Sequence, residues 1–404
     1  MKKKVLIIAN FTSLPWEQGN SRFPYIINLI DKEKYDVELV TSTFCHKNKT
    51  QRENKSEEIK LDYKISLIYE PGYKKNVSLK RFYSHHVFAK NVEKHLGTIE
   101  KPDLIYCAVP SLDVAKVVAK YAENNDIKFV IDVQDLWPEA FKMVFKVPVV
   151  SDILFYPMKK TADYIYSRAD SIVAVSKTYA NRAAIENKKF NKKLSVFLGT
   201  DLECFDKAHK EFEIVPFDDV VRIAYIGTLG HSYDIKCVID SIKILNDKGL
   251  KNILFVVMGD GPLKESFEAY SKEKEVNCEF TGRMAYEEMV GKLCSCDIAI
   301  NPISKGAAQS IINKVGDYAA SSLPVVNNQE SREYRKLVED YQIGFNVENS
   351  NPEEMAEKIE LLYNDVELRK RLGENNRKLA EEKFDRQHTY KEIINLIELE
   401  LYEK

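Results

Sequence analysis

The sequence predicts an α/β protein of two doubly wound domains, each a parallel sheet covered on both faces by helices. Three observations carry this expectation. Short Val- and Ile-rich runs alternate with longer amphipathic stretches from end to end. The runs are continuously apolar rather than alternating, which marks strands buried on both faces. At 404 residues, the chain is also long enough for two domains with separate cores.

The elements follow in order. "MKKKVLIIANF" has the positive start of a signal peptide, but its apolar run is too short, so a first strand is predicted. "YDVELVTST", "ISLIYEP", "DLIYCAV", "KFVIDV", "SIVAVS" and "LSVFLG" are the further strands of the first half. "VRIAYIG", "ILFVVMGDG", "CEFTG", "DIAINP", "PVVNN" and "GFNV" are those of the second. The alternation pauses in the charged stretch "TDLECFDKAHKEFEIVPFDD" (Thr200 to Asp219). The predicted domains are therefore 1–205, 206–380 and a closing helix over 381–404. "NPEEMAEKIELLYND" opens with Pro352 and acidic residues, as a helix start should.

Composition narrows the function. Hydrophobic residues make up 44% and charged residues 30%, the balance of a soluble globular protein. A net charge of -2 gives no global attraction to nucleic acid. The seven cysteines are odd in number and scattered, and C-x-C at Cys294 and Cys296 is no zinc pattern, so a reduced, cytoplasmic protein is expected. No run reaches the roughly 18 apolar residues of a membrane span.

In open α/β sheets ligands bind beyond the carboxyl ends of the strands, so loops after strands are the places to search. After the first strand, G-x-G-x-x-G is absent, which argues against a nicotinamide dehydrogenase. A single Gly19, followed by Asn20, Ser21 and Arg22, still suits close approach to an anion or sugar. "AYIGTLGHSYDI" repeats the pattern in the second half, with Gly227 and Thr228 small enough for main-chain N–H groups to face a phosphate. His231 is read as a loop residue, and "MGDGP" as a structural turn. Arg283, next to Met284, follows another strand and is expected to face the ligand. "DIAINPISKGAAQSIINKVGDYAA" reads as strand, small-residue loop, then a helix starting near Ser310 as N-cap. Its N-terminus, with Lys305 and Lys314 nearby, offers positive charge to a diphosphate without a metal. Gln309 and Asn313 could bond neutral hydroxyls, and Asp317 a ribose diol.

In the first half, "VIDVQDLWPEAFKMVFK" follows a strand. Trp137 could stack on a sugar while Asp135 or Glu139 orients its hydroxyl; a helix cap over a buried Trp is the alternative. "YKKNVSLKRFYSHHVFAKNVEKHLG" (Tyr73 to Gly97) is basic and aromatic. A basic amphipathic helix suits an anionic membrane surface, and a solvated helix over the core is the equal alternative. His85 and His86 could contact either substrate.

The motifs "DLWPE", "GTD…F", "IGTLG", "MGDGP", "TGR", "CDIAINP" and "INKVGDYAASSLPVV", in this order, resemble the retaining GT-B glycosyltransferases of family four, especially the capsule and O-antigen branch. The resemblance implies two Rossmann-like domains facing a cleft, with the last helix crossing back to the first. It implies transfer of a hexose or N-acetylhexosamine from a nucleotide-diphosphate sugar, UDP favoured, to a glycan or lipid-diphosphate-linked acceptor. It places the enzyme in the cytoplasm, with a peripheral contact at the inner face of the membrane, and asks for no cofactor and no metal. The family's E-x7-E is here Gln309-x7-Asp317, and the loop cations of many members are replaced by Thr228 and Tyr233. By this resemblance the donor lies against Gly19, Gly227, Thr228, Arg283, Met284, Gln309, Ser310, Asn313 and Asp317. The acceptor lies against His85, His86, Asp135, Trp137 and Glu139. Asp135, Arg283, Lys305 and Lys314 carry the catalysis. Two alternatives stand beside it: a degenerate GT-B protein that binds nucleotide sugar or a partner transferase without turnover, and a nucleotide-sugar 2-epimerase.

Overall fold

In the computed structural model the chain divides into two units, residues 1–196 with 390–404, and residues 197–389. The structure describes all residues except 1, 18, 20, 56–57, 77, 143–147, 188, 190–191, 217–218, 308–310 and 403–404, together with the side chains of 142 and 148–150.

The strands of the first unit are β1 (Lys3–Ile8), β2 (Tyr35–Ser42), β3 (Phe44–Cys45), β4 (Thr50–Gln51), β5 (Lys64–Ile68), β6 (Leu104–Val109), β7 (Lys128–Val133), β8 (Ser171–Ala174) and β9 (Lys193–Ser195). β3 and β4 pair as a small antiparallel hairpin. The other seven form one parallel sheet in the order β5-β2-β1-β6-β7-β8-β9. The second unit contributes β10 (Val221–Ile226), β11 (Ile253–Met258), β12 (Cys278–Gly282), β13 (Ile298–Asn301), β14 (Val325–Asn327) and β15 (Gly344–Asn346). They form a second parallel sheet, ordered β12-β11-β10-β13-β14-β15. The central strands are buried, as their unbroken Val/Ile content requires: every residue of β6, β8 and β13 is buried. Strand order reverses between β1 and β6 in the first sheet and between β10 and β13 in the second. These are the switch points where a parallel sheet opens a crevice beyond its carboxyl ends.

The closing helix Lys391–Tyr402 belongs to the first unit. Ile393, Leu396, Ile397 and Leu401 pack with Val5, Ile7 and Phe23. The division falls at 196/197 and 389/390 rather than at 205/206 and 380/381. The cause is the helix Leu202–Glu211, which lies inside the stretch expected to be a linker. Its apolar face buries Leu202, Phe205 and Ala208 against Val290, Val315 and Phe384. Thr200 is tied in as well: its N–H donates to Phe384 O at 2.8 Å and its carbonyl accepts from Arg386 N at 3.1 Å. Among the described residues no helix is long and apolar enough to cross a membrane, and no group of three or more His, Cys, Asp or Glu is arranged to hold a metal.

Candidate active site

The second unit assembles its site at the β10/β13 switch point. β10 is followed by Gly227, whose φ of 131° suits a residue without Cβ. The loop after β10 is fastened to the loop after β13. Asp234 N donates to Pro302 O at 3.1 Å, Ser304 N to Ser232 O at 3.0 Å, and Ser304 Oγ to His231 O at 2.9 Å. The "MGDGP" turn presses on the same loop. A Cβ on Gly259 would stand 1.8 Å from Gly227 O, so glycine there permits the close approach. This turn is structural, as its sequence implies.

Lys314 stands at the centre. Its side chain is buried, with Nζ 4.0 Å from the ring centre of Tyr225 and 3.9 Å from that of Tyr233. A Cβ on Gly227 would lie 2.9 Å from that Nζ. Among the described residues Nζ has no hydrogen-bond partner. Burial alone drives its pKa well below the usual lysine value. The full positive charge expected of Lys314 is therefore corrected: a buried ammonium facing two ring faces and no carboxylate loses its proton readily, and an arriving anion would restore it. Tyr233 takes on a meaning that its sequence position did not reveal. It stands where many members of the resembled family have a cation, and here its ring packs on the ammonium of Lys314 instead.

The helix that carries Lys314 runs Lys314–Ala320, with Asn313 as its N-cap. It begins later than expected. Ile311 is drawn into the core beside Val315 and Ala319, and the chain turns only after it. Asp317 accordingly falls in the first turn rather than two turns in. Its Oδ1 accepts from Thr200 Oγ1 at 2.9 Å and from Tyr286 OH at 3.0 Å, and burial raises its pKa. The expected ribose ligand is thus already engaged in locking its helix. Tyr318 fixes the helix to β10, its hydroxyl accepting from Ile226 N at 3.0 Å.

The remaining donor-side candidates are peripheral to this arrangement. Thr228 is exposed, and its carbonyl accepts from Tyr225 OH at 2.7 Å. Asn313, Arg283 and Lys305 are exposed, while Met284 packs partly on the core beside Ala224 and Met258. Gln309 and Ser310 lie outside the described residues, as does Asn20. Gly19 lies in the first unit, where a Cβ would meet Ser13 Oγ at 2.8 Å. Arg22, beside it in sequence, is no anion ligand. It is buried with its Nε 2.7 Å from Asp132 Oδ2, and Tyr106 donates to the same oxygen.

In the first unit the acceptor candidates cluster beyond β1, β6 and β7, but not as expected. Trp137 is 4% exposed and is no open stacking platform. His85 stacks on it at 5.8 Å, Phe141 meets it edge-on at 4.8 Å, and the Arg81 guanidinium lies 4.7 Å from its centre. Asp135 caps its own turn: Leu136 N and Trp137 Nε1 donate to it at 2.9 and 3.1 Å. Burial raises its pKa, opposed by these bonds and by Arg81. Glu139 pairs with Arg182 Nε at 2.6 Å, so it orients a helix rather than a free hydroxyl. His85 is buried and His86 is exposed. Sequence reading assigned no site role to Arg81 and Tyr73, within the basic stretch, or to His46 and Lys49; around Tyr73 they meet His85, because the hairpin and the helix that carry them come together only in the fold.

Comparisons with known proteins bear on the fold and on the second unit. Residues 206–379 match the family model described as glycosyl transferases group 1. An uncharacterized glycosyltransferase of Methanocaldococcus jannaschii is 25% identical over 219 residues, 54% of this chain and 56% of the relative. The capsular polysaccharide biosynthesis glycosyltransferase CapM of Staphylococcus aureus is 24% identical over 310 residues, 73% of this chain and 76% of the relative. A Campylobacter jejuni N-acetyl-D-galactosaminyltransferase, whose name specifies a diphosphate-undecaprenol-linked glycan, is 26% identical over 185 residues, 45% of this chain and 49% of the relative. The chain spans about 56–61% of the length of the first two relatives. Among solved structures, Anabaena HepE in complex with UDP superposes with a TM-score of 0.69 at 15% identity, over 98% of this chain and 99% of that one. The fold is therefore GT-B, and the stretch 206–379 is similar to the glycosyl transferases group 1 model.

Proposed function

We propose that this protein is a glycosyltransferase that moves a sugar from a nucleoside-diphosphate donor, UDP favoured, to a glycan acceptor in polysaccharide synthesis, with retention of configuration. The single observation that carries the reading is the buried, unpaired Nζ of Lys314 beside the glycine loop of β10. Breaking a sugar–phosphate bond leaves negative charge on the diphosphate. An ammonium held in a low-dielectric site, with main-chain donors nearby, stabilises that charge far better than one in water. The donor diphosphate would sit against Gly227 and Lys314, with Thr228, Asn313 and the exposed Arg283 and Lys305 at its margin. Gln309 and Ser310 would contact the sugar and phosphate, as the family resemblance implies. No metal is required by this arrangement, because the lysine supplies the positive charge. The family match and the names of the relatives support the reading; the UDP-bound neighbour supports the choice of base.

The test is direct. Purified protein should bind UDP by calorimetry and transfer sugar from a UDP-sugar, with the product anomer read by NMR and the rate unchanged by a chelator. Binding of UDP without transfer or hydrolysis across a panel of donors and acceptors would instead identify a non-catalytic GT-B protein. Epimerised donor would identify a 2-epimerase.

A further inference from the structure

Lys314 is not held in place by any bond of its own. Among the described residues its Nζ makes no hydrogen bond, and it faces the rings of Tyr225 and Tyr233. Its position is therefore set by the helix that carries it. That helix is seven residues long, Lys314–Ala320, and the side chain of its N-cap Asn313 makes no capping bond. A segment so short has little stability of its own and takes its place from tertiary contacts.

Three contacts of adjacent residues supply that place. Asp317 Oδ1 accepts from Thr200 Oγ1 at 2.9 Å and from Tyr286 OH at 3.0 Å. Gly316 lets the helix close on the same threonine, since a Cβ there would stand 2.7 Å from Thr200 Oγ1. Tyr318 OH accepts from the N–H of Ile226, the residue before Gly227. Both donors to Asp317 are themselves fixed. Thr200 is 2% exposed, with its N–H on Phe384 O and its carbonyl on Arg386 N. Tyr286 opens the helix Tyr286–Cys294 and packs against the core of Val315 and Ala319. Burial raises its pKa, so the phenol keeps the proton that it donates.

A ribose diol presents two hydroxyls, which a carboxylate meets with its two oxygens. Oδ1 of Asp317 already accepts two hydroxyl protons, which occupies both of its lone pairs. A diol held by both oxygens would displace Thr200 or Tyr286, and would loosen the helix that carries the diphosphate lysine.

We propose that Asp317 is a positioning residue for Lys314, clamped between Thr200 and Tyr286, and that it takes no part in reading the nucleoside. This rests on the transferase reading above and assigns a further part of the same site: the lysine's place is fixed from two other segments of the second unit.

The experiment uses the full chain, with UDP, 2′-deoxy-UDP and inorganic diphosphate as probes in calorimetry and a UDP-sugar for initial rates. Asp317→Ala should weaken all three probes by the same factor, about tenfold, because the fault lies at the lysine. The kcat should fall further, by up to about 10²-fold. Asp317→Asn keeps an oxygen acceptor and should restore most of both. Tyr286→Phe keeps the ring in the core and the carboxylate in place. It should lower kcat and also reduce the proton uptake that accompanies UDP binding as Lys314 is recharged. A contact that only stabilised the fold would lower the melting temperature and leave proton uptake unchanged. Loss of UDP affinity in Asp317→Ala, with 2′-deoxy-UDP and inorganic diphosphate unaffected, would reveal a ribose ligand and overturn the proposal. Unaltered kcat and proton uptake in Tyr286→Phe would overturn it as well. Either result, with the unaltered protein binding UDP and transferring sugar, leaves the transferase reading standing. An unaltered protein that neither binds UDP nor transfers strikes that reading instead, and the inorganic diphosphate arm still decides for Asp317.

Discussion

The two units share an architecture and differ in what fills the crevice at the switch point. In the second unit a glycine follows the strand, backbones approach closely, and one lysine stands among tyrosine rings. In the first, Arg81 and His85 lie against Trp137, His46 and Lys49 stand by Tyr73, and the open space lies to one side as an apolar cavity. Lys314 faces no carboxylate, whereas Arg81 in the first unit has Asp135 and Glu70 in its neighbourhood. The glycine loop leaves close backbone approach and a single basic group, which suits a compact diphosphate. The aromatic cluster leaves apolar walls and dispersed charge, which suits a larger ligand. The chemistry of each unit is thus set by which side chains the common sheet presents at its edge.

The largest effect that would test this contrast is Lys314→Ala. If the second unit's charge is concentrated in one ammonium, transfer should fall by about 10²–10³-fold, measured as initial rate with a UDP-sugar. Melting temperature should hold or rise, because the variant removes an amine that burial holds away from its ordinary charged state. Gly227→Val comes next. It places Cβ 2.9 Å or less from Nζ at a φ of 131°, and should weaken UDP binding by about tenfold or more in calorimetry. The same histidine-rich crowding that distinguishes the first unit makes it acid-sensitive. His85, held down to about 3, is neutral when folded and charged when unfolded between that value and its ordinary 6.5. The unfolded state therefore binds more protons in this window, and stability falls as pH drops from 6.5 toward 3. At pH 5 this amounts to about 2 kcal/mol, which His85→Phe should recover in chemical denaturation. Lys314 gives a related signature in the second unit. Its folded pKa lies below the unfolded one, so a diphosphate that raises it must bring a proton. Calorimetry of UDP in buffers of different ionisation enthalpy should show proton uptake, absent in Lys314→Ala. The smallest effect belongs to the exposed cations: Lys305→Ala and Arg283→Ala should each change UDP affinity by less than about tenfold, since water screens them.

Much of the fold was legible because its signal is local. Continuous Val/Ile runs can be buried only in covered parallel strands, and each such run became one. Gly227, Lys314 and Asp317 were also legible as positions, since each follows a strand in a recognisable motif. Their environments were not. Whether Lys314 stands in water or between Tyr225 and Tyr233 depends on a strand and a loop some 80 residues earlier. Trp137 read as an open sugar platform because nothing in "DLWPE" reveals that Arg81 and His85, from another helix, cover its ring. Glu139 read as free because Arg182 is distant in sequence. The helix start at Lys314 was misjudged for the same reason: Ile311 is claimed by the core, a tertiary effect that no cap residue announces.

The central claim is that Lys314 beside Gly227 grips the leaving diphosphate. Crystals of the protein soaked with UDP test it most directly. The account predicts phosphate oxygens within hydrogen-bond distance of Lys314 Nζ and of the main chain after β10; phosphates bound elsewhere, with that ammonium still facing only its two tyrosines, would contradict it.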